Sequence, residues 1–327
     1  MLQLLLGGSG SGKTTLLYQR IRARAEKGEK SILLVPEQFT SSTEGRIYRE
    51  LGDALSGMVE SFSFTSLAEK ILSTEGGAAV QTLSDAGRAV LVRRALEELQ
   101  DNVHYYHRHR RSAAFCQMAA QTIDELKSAG LSGQQLAQLA GACGAESGKL
   151  SELALIFQGY ETLLARSGMD PSDRLELAGA RLEEALARHS LPEFLRDRAV
   201  FIDEFDTFNA PKKRLLGAML AALPSVTVAL CDDGAPLLPG DLSLFSGAKQ
   251  VAAQLRQLAR KNGAEVAVPQ LLRKDLRHRN APGLAAVAEL LETGSCTADA
   301  PAGEVRLFAA PSREEEARAA AGAIRRL

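Results

Sequence analysis

Short apolar runs alternate with longer amphipathic stretches at the start of the chain. Residues 2–6 (LQLLL) are a continuous apolar run of strand length. They lead into GGSGSGKTT and then into a stretch from Leu16 to Lys27 with charges interleaved among apolar positions, so the order reads strand, glycine turn, helix. Residues 31–35 (SILLV) predict a second buried strand, stopped by Pro36. A helix is expected from about Thr40 to Leu55, and 57–62 (GMVESF) reads as a third, weaker strand. Strands alternating with helices imply a parallel sheet joined by crossovers.

The period changes after Thr65. From there to about Ser190 the pattern is nearly all helical, rich in Ala, Leu, Glu, Gln and Arg and poor in β-branched residues. Breaks fall at 75–77, at Gly130, at 141–148 and at 167–172, which implies several helices without a fixed repeat. Strand patterns return at 199–202 (AVFI) and 225–230 (SVTVAL), and a further one is expected at 264–268. Helices are expected at 210–222, where Pro211 suits a first turn, and at about 247–262. Residues 270–283 read as a loop with a charged centre, RKDLRHR. A strand at 304–309 and a Ser-capped amphipathic helix at 312–327 then begin a new strand–helix unit, as expected of a piece of a longer protein.

The strongest chemical signal is Gly7-Gly8-Ser9-Gly10-Ser11-Gly12-Lys13-Thr14, followed by Thr15. It satisfies G-x-x-x-x-G-K-[ST] in full, in the strand-to-helix context the motif requires. Glycines let backbone N–H groups curl around phosphate oxygens, and the helix start adds its positive end. Lys13 is expected to reach the β- and γ-phosphates of ATP, and Thr14 to ligate Mg²⁺. Asp203-Glu204 directly follows the AVFI strand: Asp203 is the expected second holder of Mg²⁺, and Glu204 the expected catalytic residue that orients water. The pair Asp232-Asp233 ends another strand and either lines the same site or forms a turn. Residues 104–111 (HYYHRHRR) have the composition to stack bases and neutralise phosphates, but a solvated helix face is the favoured reading.

Composition adds little that discriminates. Aromatics are 5% with no Trp, so the cores should be aliphatic, and a net charge of -1 neither demands nor forbids nucleic acid. Cys116, Cys143, Cys231 and Cys296 form no CxxC pair and read as reduced, mostly buried thiols of a cytoplasmic protein. MLQLLL is too short for a signal peptide, and no apolar stretch has the length to span a bilayer.

The P-loop almost at residue 1, VPEQFTSSTEGR at 35–46, SFSFTSLAEKIL at 61–72 and FIDEFDTFNAPKKRLL at 201–216 together resemble the N-terminal region of the AddB family, related to RexB. PEQFT (Pro36 to Thr40) and FIDEF are the most specific matches, and the resemblance spans essentially the whole chain. It implies the partner subunit of an AddAB-type helicase–nuclease that processes double-strand breaks for recombination, paired with an AddA-type subunit and acting on DNA. The family is similar to UvrD-like superfamily 1 helicases. That similarity implies a P-loop NTPase, helicase-like α/β fold: a parallel sheet flanked by helices over 1–65 and 195–295, an inserted all-α subdomain over 66–194, and the start of a second motor-like domain over 300–327. It places Phe39, Thr40, Phe64, Thr65 and Ser66 where such helicases touch single-stranded DNA. The family's iron–sulfur cluster belongs to a C-terminal nuclease, so none of the four cysteines is expected to be a ligand. CDDGAP at 231–236 departs from the usual GDxxQ, and the arginines that complete hydrolysis come from the second motor domain, so weak or absent hydrolysis is expected. The alternative is a standalone P-loop ATPase or small-molecule kinase.

Overall fold

The computed structural model describes residues 1–77, 79, 81–99, 101–144, 147–295 and 305–326. The chain opens with β1 (Leu2–Gly7), α1 (Lys13–Ala25), β2 (Ser31–Leu34), α2 (Thr40–Leu51), α3 (Asp53–Ser56), β3 (Val59–Phe62) and α4 (Phe64–Glu75). Helices α5 (Asp85–Glu98), α6 (Ala113–Ser128), α7 (Gly133–Ala140), α8 (Ser147–Ser167) and α9 (Pro171–Ala187) follow. The α/β order resumes with β4 (Ala199–Ile202), α10 (Ala210–Ala222), β5 (Ser225–Cys231), α11 (Ser246–Lys261) and β6 (Gln270–Leu272), then α12 (Pro282–Thr293) and α13 (Arg313–Ile324).

The six strands form one sheet in the order β3-β2-β4-β5-β1-β6, and every pairing is parallel. Period-2 alternation splits the strand side chains between two cores. Leu5, Leu33, Phe201 and Ala229 pack on one face with Leu17 and Ile21 of α1 and Ile47 of α2. Leu4, Ile32, Val200 and Val228 pack on the other with residues of α4, α9, α10 and α11. Both faces are covered, which is why the strands read as unbroken apolar runs. Helices α5, α6, α7 and α8 share a third core around Phe157, Tyr160 and Ile123. Helices α4 and α9 flank that group in sequence, yet their apolar faces belong to the sheet's core.

Several boundaries differ from the sequence pattern. The helix expected over 40–55 breaks at Gly52, which has φ 75, and restarts as α3. Residues 264–268 make only an isolated bridge, Leu2 with Val266. The edge strand is instead β6, inside the segment read as loop, with Leu5 to Gly7 as its partners. Its three residues are too few to carry a period. Residues 305–310 are not a strand. Residues 104–111 are not a helix face but a set of turns with one 3-10 turn at His107–His109. Of the cysteines expected to be mostly buried, Cys116 is buried but Cys143 and Cys231 are exposed, and Cys296 lies outside the described residues.

Candidate functional site

Because all strands run the same way, their C-terminal ends open on one edge, where parallel α/β sheets bind ligands. Along that edge the chain sets out, in order, the 64–66 segment after β3, Phe39 and Thr40 after β2, Asp203-Glu204 after β4, Cys231 and Asp232 at the end of β5, the glycine loop after β1, and RKDLRHR after β6.

The glycine loop is pre-shaped. Gly10 (φ 78) and Gly12 (φ 88) lie in the left-handed region, and Gly12 caps α1. A Cβ on Gly7 would lie 2.4 Å from the Ser11 Oγ and 2.6 Å from the Leu272 carbonyl oxygen. Lys13 folds back over the loop, its Nζ donating to the Gly7 and Gly8 carbonyls at 2.8 Å each. Ser11 is buried, and its Oγ has no partner among the described residues. An orphaned hydroxyl in a loop of this shape is unused hydrogen-bonding capacity.

The acid pair reaches this loop across β5. Thr14 at the start of α1 and Asp203 at the end of β4 line the same cleft, with the Thr14 hydroxyl beside the Asp203 carboxylate. Asp203 is buried, and its own N–H donates to the Leu34 carbonyl at 3.1 Å, fixing it beside β2. Burial raises its pKa and the Glu204 charge adds to the rise, while Thr14 and Lys13 oppose it. Glu204 is exposed and sits at φ 63, with its N–H donating to Asp203 Oδ1 at 3.0 Å. A non-glycine residue held there is strained, and such strain concentrates at functional positions.

The resulting cleft has a volume of about 480 Å³ and is lined by Ser9, Gly10, Gly12, Lys13, Thr14, Thr15, Asp203 and Glu204, with Arg46 from α2 and Arg277 beyond β6. Asp206 lines it too, so three cations face three carboxylates. A smaller recess of about 210 Å³ continues from it past Thr14, Tyr18 and Arg46 to Phe39. The Arg46 guanidinium lies 4.8 Å from the Tyr18 ring centroid. Hydroxyl and carboxylate oxygens from Thr14 and Asp203 are hard donors of the kind Mg²⁺ prefers, so these residues fit that ion.

Other expected residues have different places. Asp232 is buried and its Oδ1 accepts from the Gly234 N–H at 2.7 Å; Asp233 accepts from Ala235 at 2.8 Å. Both are turn formers, and neither lines the cleft. Phe64 is buried edge-on against Phe205 and Phe208, so its ring braces the segment that follows Glu204. Thr65 and Ser66 are exposed at the start of α4, where Ser63 and Ser66 cap each other. Phe39 is half-exposed, and Thr40 donates to the Glu37 carbonyl.

The residue pattern marked the segment after β6 as a charged loop but assigned it no place in the site. The Leu276 N–H donates to the Gly10 carbonyl at 3.0 Å, and Arg277 Nη1 donates to the Ser9 Oγ at 3.0 Å. Asp275 locks this strap, accepting from the Arg277 and His278 N–H groups at 3.0 Å. One apolar residue in a charged run directly after a short edge strand was the available signal.

Fold and edge together define a parallel α/β protein whose glycine loop and acid pair converge beside one strand. The chain matches the family model described as ADDB, N-terminal, over residues 4–288, and it belongs to that family. It is 34% identical over 339 residues to the B subunit of the ATP-dependent helicase/deoxyribonuclease from Desulforudis audaxviator, covering all of this chain and 28% of that protein. The proteins of the same name from Moorella thermoacetica and Symbiobacterium thermophilum are 33% and 32% identical, again over 100% of this chain and 29% of each relative. The chain therefore spans under a third of the length of these relatives. No helix among the described residues is long and apolar enough to cross a membrane.

Proposed function

We propose that this chain is the ATP-binding N-terminal region of a cytoplasmic helicase–nuclease subunit that processes DNA double-strand breaks for recombinational repair with an AddA-type partner. Its own ATP hydrolysis is weak or absent. The observation that carries the reading is that Lys13 and Thr14 of the glycine loop line one cleft with Asp203 and Glu204 at the sheet edge. In this reading the backbone of Gly8 to Thr14 and the α1 N-terminus hold the triphosphate, and Lys13 leaves its loop carbonyls for phosphate oxygens. Thr14 and Asp203 would hold Mg²⁺, which supplies charge neutralisation at the polyphosphate. Glu204 orients water, and Arg277 adds a second cation above the loop. Phe39, Thr40, Thr65 and Ser66 face single-stranded DNA, and Phe64 transmits their position to the Glu204 segment through Phe205.

Weak hydrolysis is supported by the two aspartates after β5, Asp232 and Asp233, which are used in turns and do not line the cleft. The names of the relatives support a subunit role over a standalone kinase. Calorimetry with a non-hydrolysable ATP analogue and Mg²⁺, with and without a short single-stranded oligonucleotide, tests the reading. Binding that tightens with DNA is expected. Lys13→Ala is expected to abolish nucleotide binding while the circular dichroism spectrum stays unchanged. Unchanged affinity in that variant refutes the assignment.

A further inference from the structure

Residues 104–111 lie outside the nucleotide site, on the helical layer formed by α5, α6, α7 and α8. The run carries Arg108, Arg110, Arg111 and three histidines without one acidic residue. None of these three arginines has an ion pair among the described residues, whereas Arg93 and Arg94 nearby in sequence are matched to Glu97 and Glu98. Arg108 and Arg111 are exposed, as are all three histidines, and Tyr105 is 57% exposed.

What distinguishes this run from an ordinary solvated loop is its support. The carboxylate of Glu152 on α8 is buried and accepts from the N–H groups of His104 (2.8 Å), Tyr105 (2.8 Å) and Tyr106 (3.3 Å). Val103 plugs the core beside it. Tyr106 stacks on Phe115 at 5.3 Å, and His109 packs on the same ring at 5.7 Å. Backbone bonds from His109 to Tyr106 and from Ser112 to His109 close successive turns. A buried carboxylate thus satisfies backbone donors beneath a run whose basic side chains are largely exposed. A solvated loop needs no such pedestal. Unpaired guanidinium groups held rigidly beside an exposed tyrosine are the chemistry that binds phosphates and stacks on bases.

We infer that the 104–111 turn is a nucleic-acid contact separate from the nucleotide edge, its arginines engaging backbone phosphates and Tyr105 lying against a base or sugar. The inference rests on the reading that this chain acts on DNA, and deepens it by placing a contact on the helical layer.

The test is fluorescence anisotropy of the 327-residue chain with labelled duplex and single-stranded oligonucleotides between about 50 and 200 mM salt. The triple variant Arg108→Ser, Arg110→Ser, Arg111→Ser is expected to bind at least about tenfold more weakly, with the salt slope lower by roughly two to three. The matching Arg→Lys variant should keep most of the slope. Unchanged affinity and slope in a serine variant that melts normally overturns the proposal, as does wild-type protein that binds neither oligonucleotide or that binds polyglutamate equally well. Calorimetry on the same variant separates the two readings. Loss of DNA affinity in a chain that binds no nucleotide refutes the ATP reading alone. Nucleotide binding with DNA affinity indifferent to the turn refutes this proposal alone.

Discussion

Burial pushes the Tyr18 hydroxyl up to about 12, with Arg46 pulling the other way and Asp203 adding to the rise. A phenol whose folded pKa exceeds its unfolded one gives stability that is complete below the ordinary value and lost as pH rises through the folded value. Stability should therefore fall by roughly 2 kcal/mol between about pH 10 and 12 on account of this group. Urea titrations of wild type and Tyr18→Phe across that window check this: the extra loss should be absent in the phenylalanine variant. A second residue-scale case is Tyr160, whose hydroxyl donates to Asp170 Oδ1 at 2.6 Å while Lys127 donates to Oδ2 at 2.9 Å. Asp170 is 1% exposed, so Tyr160→Phe leaves a buried acceptor short of a donor. A loss of about 1–3 kcal/mol is expected by denaturant unfolding. Neither partnership is visible in sequence, because burial and the choice of partner are tertiary facts.

Among the elements, the glycine loop and the strap after β6 form one unit. Gly10 has φ 78, and a Cβ there would lie 2.6 Å from the Arg277 Cβ. Gly10→Ala adds backbone strain of about 1 kcal/mol and displaces the strap. Lower stability is expected together with faster amide exchange at Leu276, whose N–H is held by Gly10. If exchange at Leu276 is unchanged, the strap does not depend on that contact. The glycine loop itself was legible because it is a contiguous run of residues. The strap was not, because its value lies in a contact between positions 10 and 276.

Across the molecule, the strands β1, β2, β4 and β5 are covered on both faces by separate cores, whereas α13 has no buried residue. Truncation after Ser312 should thus change unfolding free energy by less than about 1 kcal/mol. A clearly larger loss in thermal or urea unfolding would mean that α13 has a docking surface on the rest of the chain. The helical layer around Phe157 has its own core, but α4 and α9 tie its ends into the sheet. Composition and period marked where helices replace strands. They could not say which helices serve the sheet, since α4 and α9 have the same amphipathic pattern as their neighbours.

Local pattern was enough for the parallel α/β class, the glycine loop leading into Lys13 and Thr14, the acid pair after β4 and the family. Each of these is written in a few adjacent residues: an unbroken apolar run, a fixed glycine spacing, a carboxylate directly after a strand. Packing had to establish that β5 lies between the loop and the acid pair, that Thr14 meets Asp203 across it, and that Arg277 covers Ser9. It also turned Asp232 and Asp233 into turn formers and set 104–111 on the Glu152 carboxylate. These outcomes depend on strand order and on which buried polar groups find partners, and both are settled only when distant segments pack together.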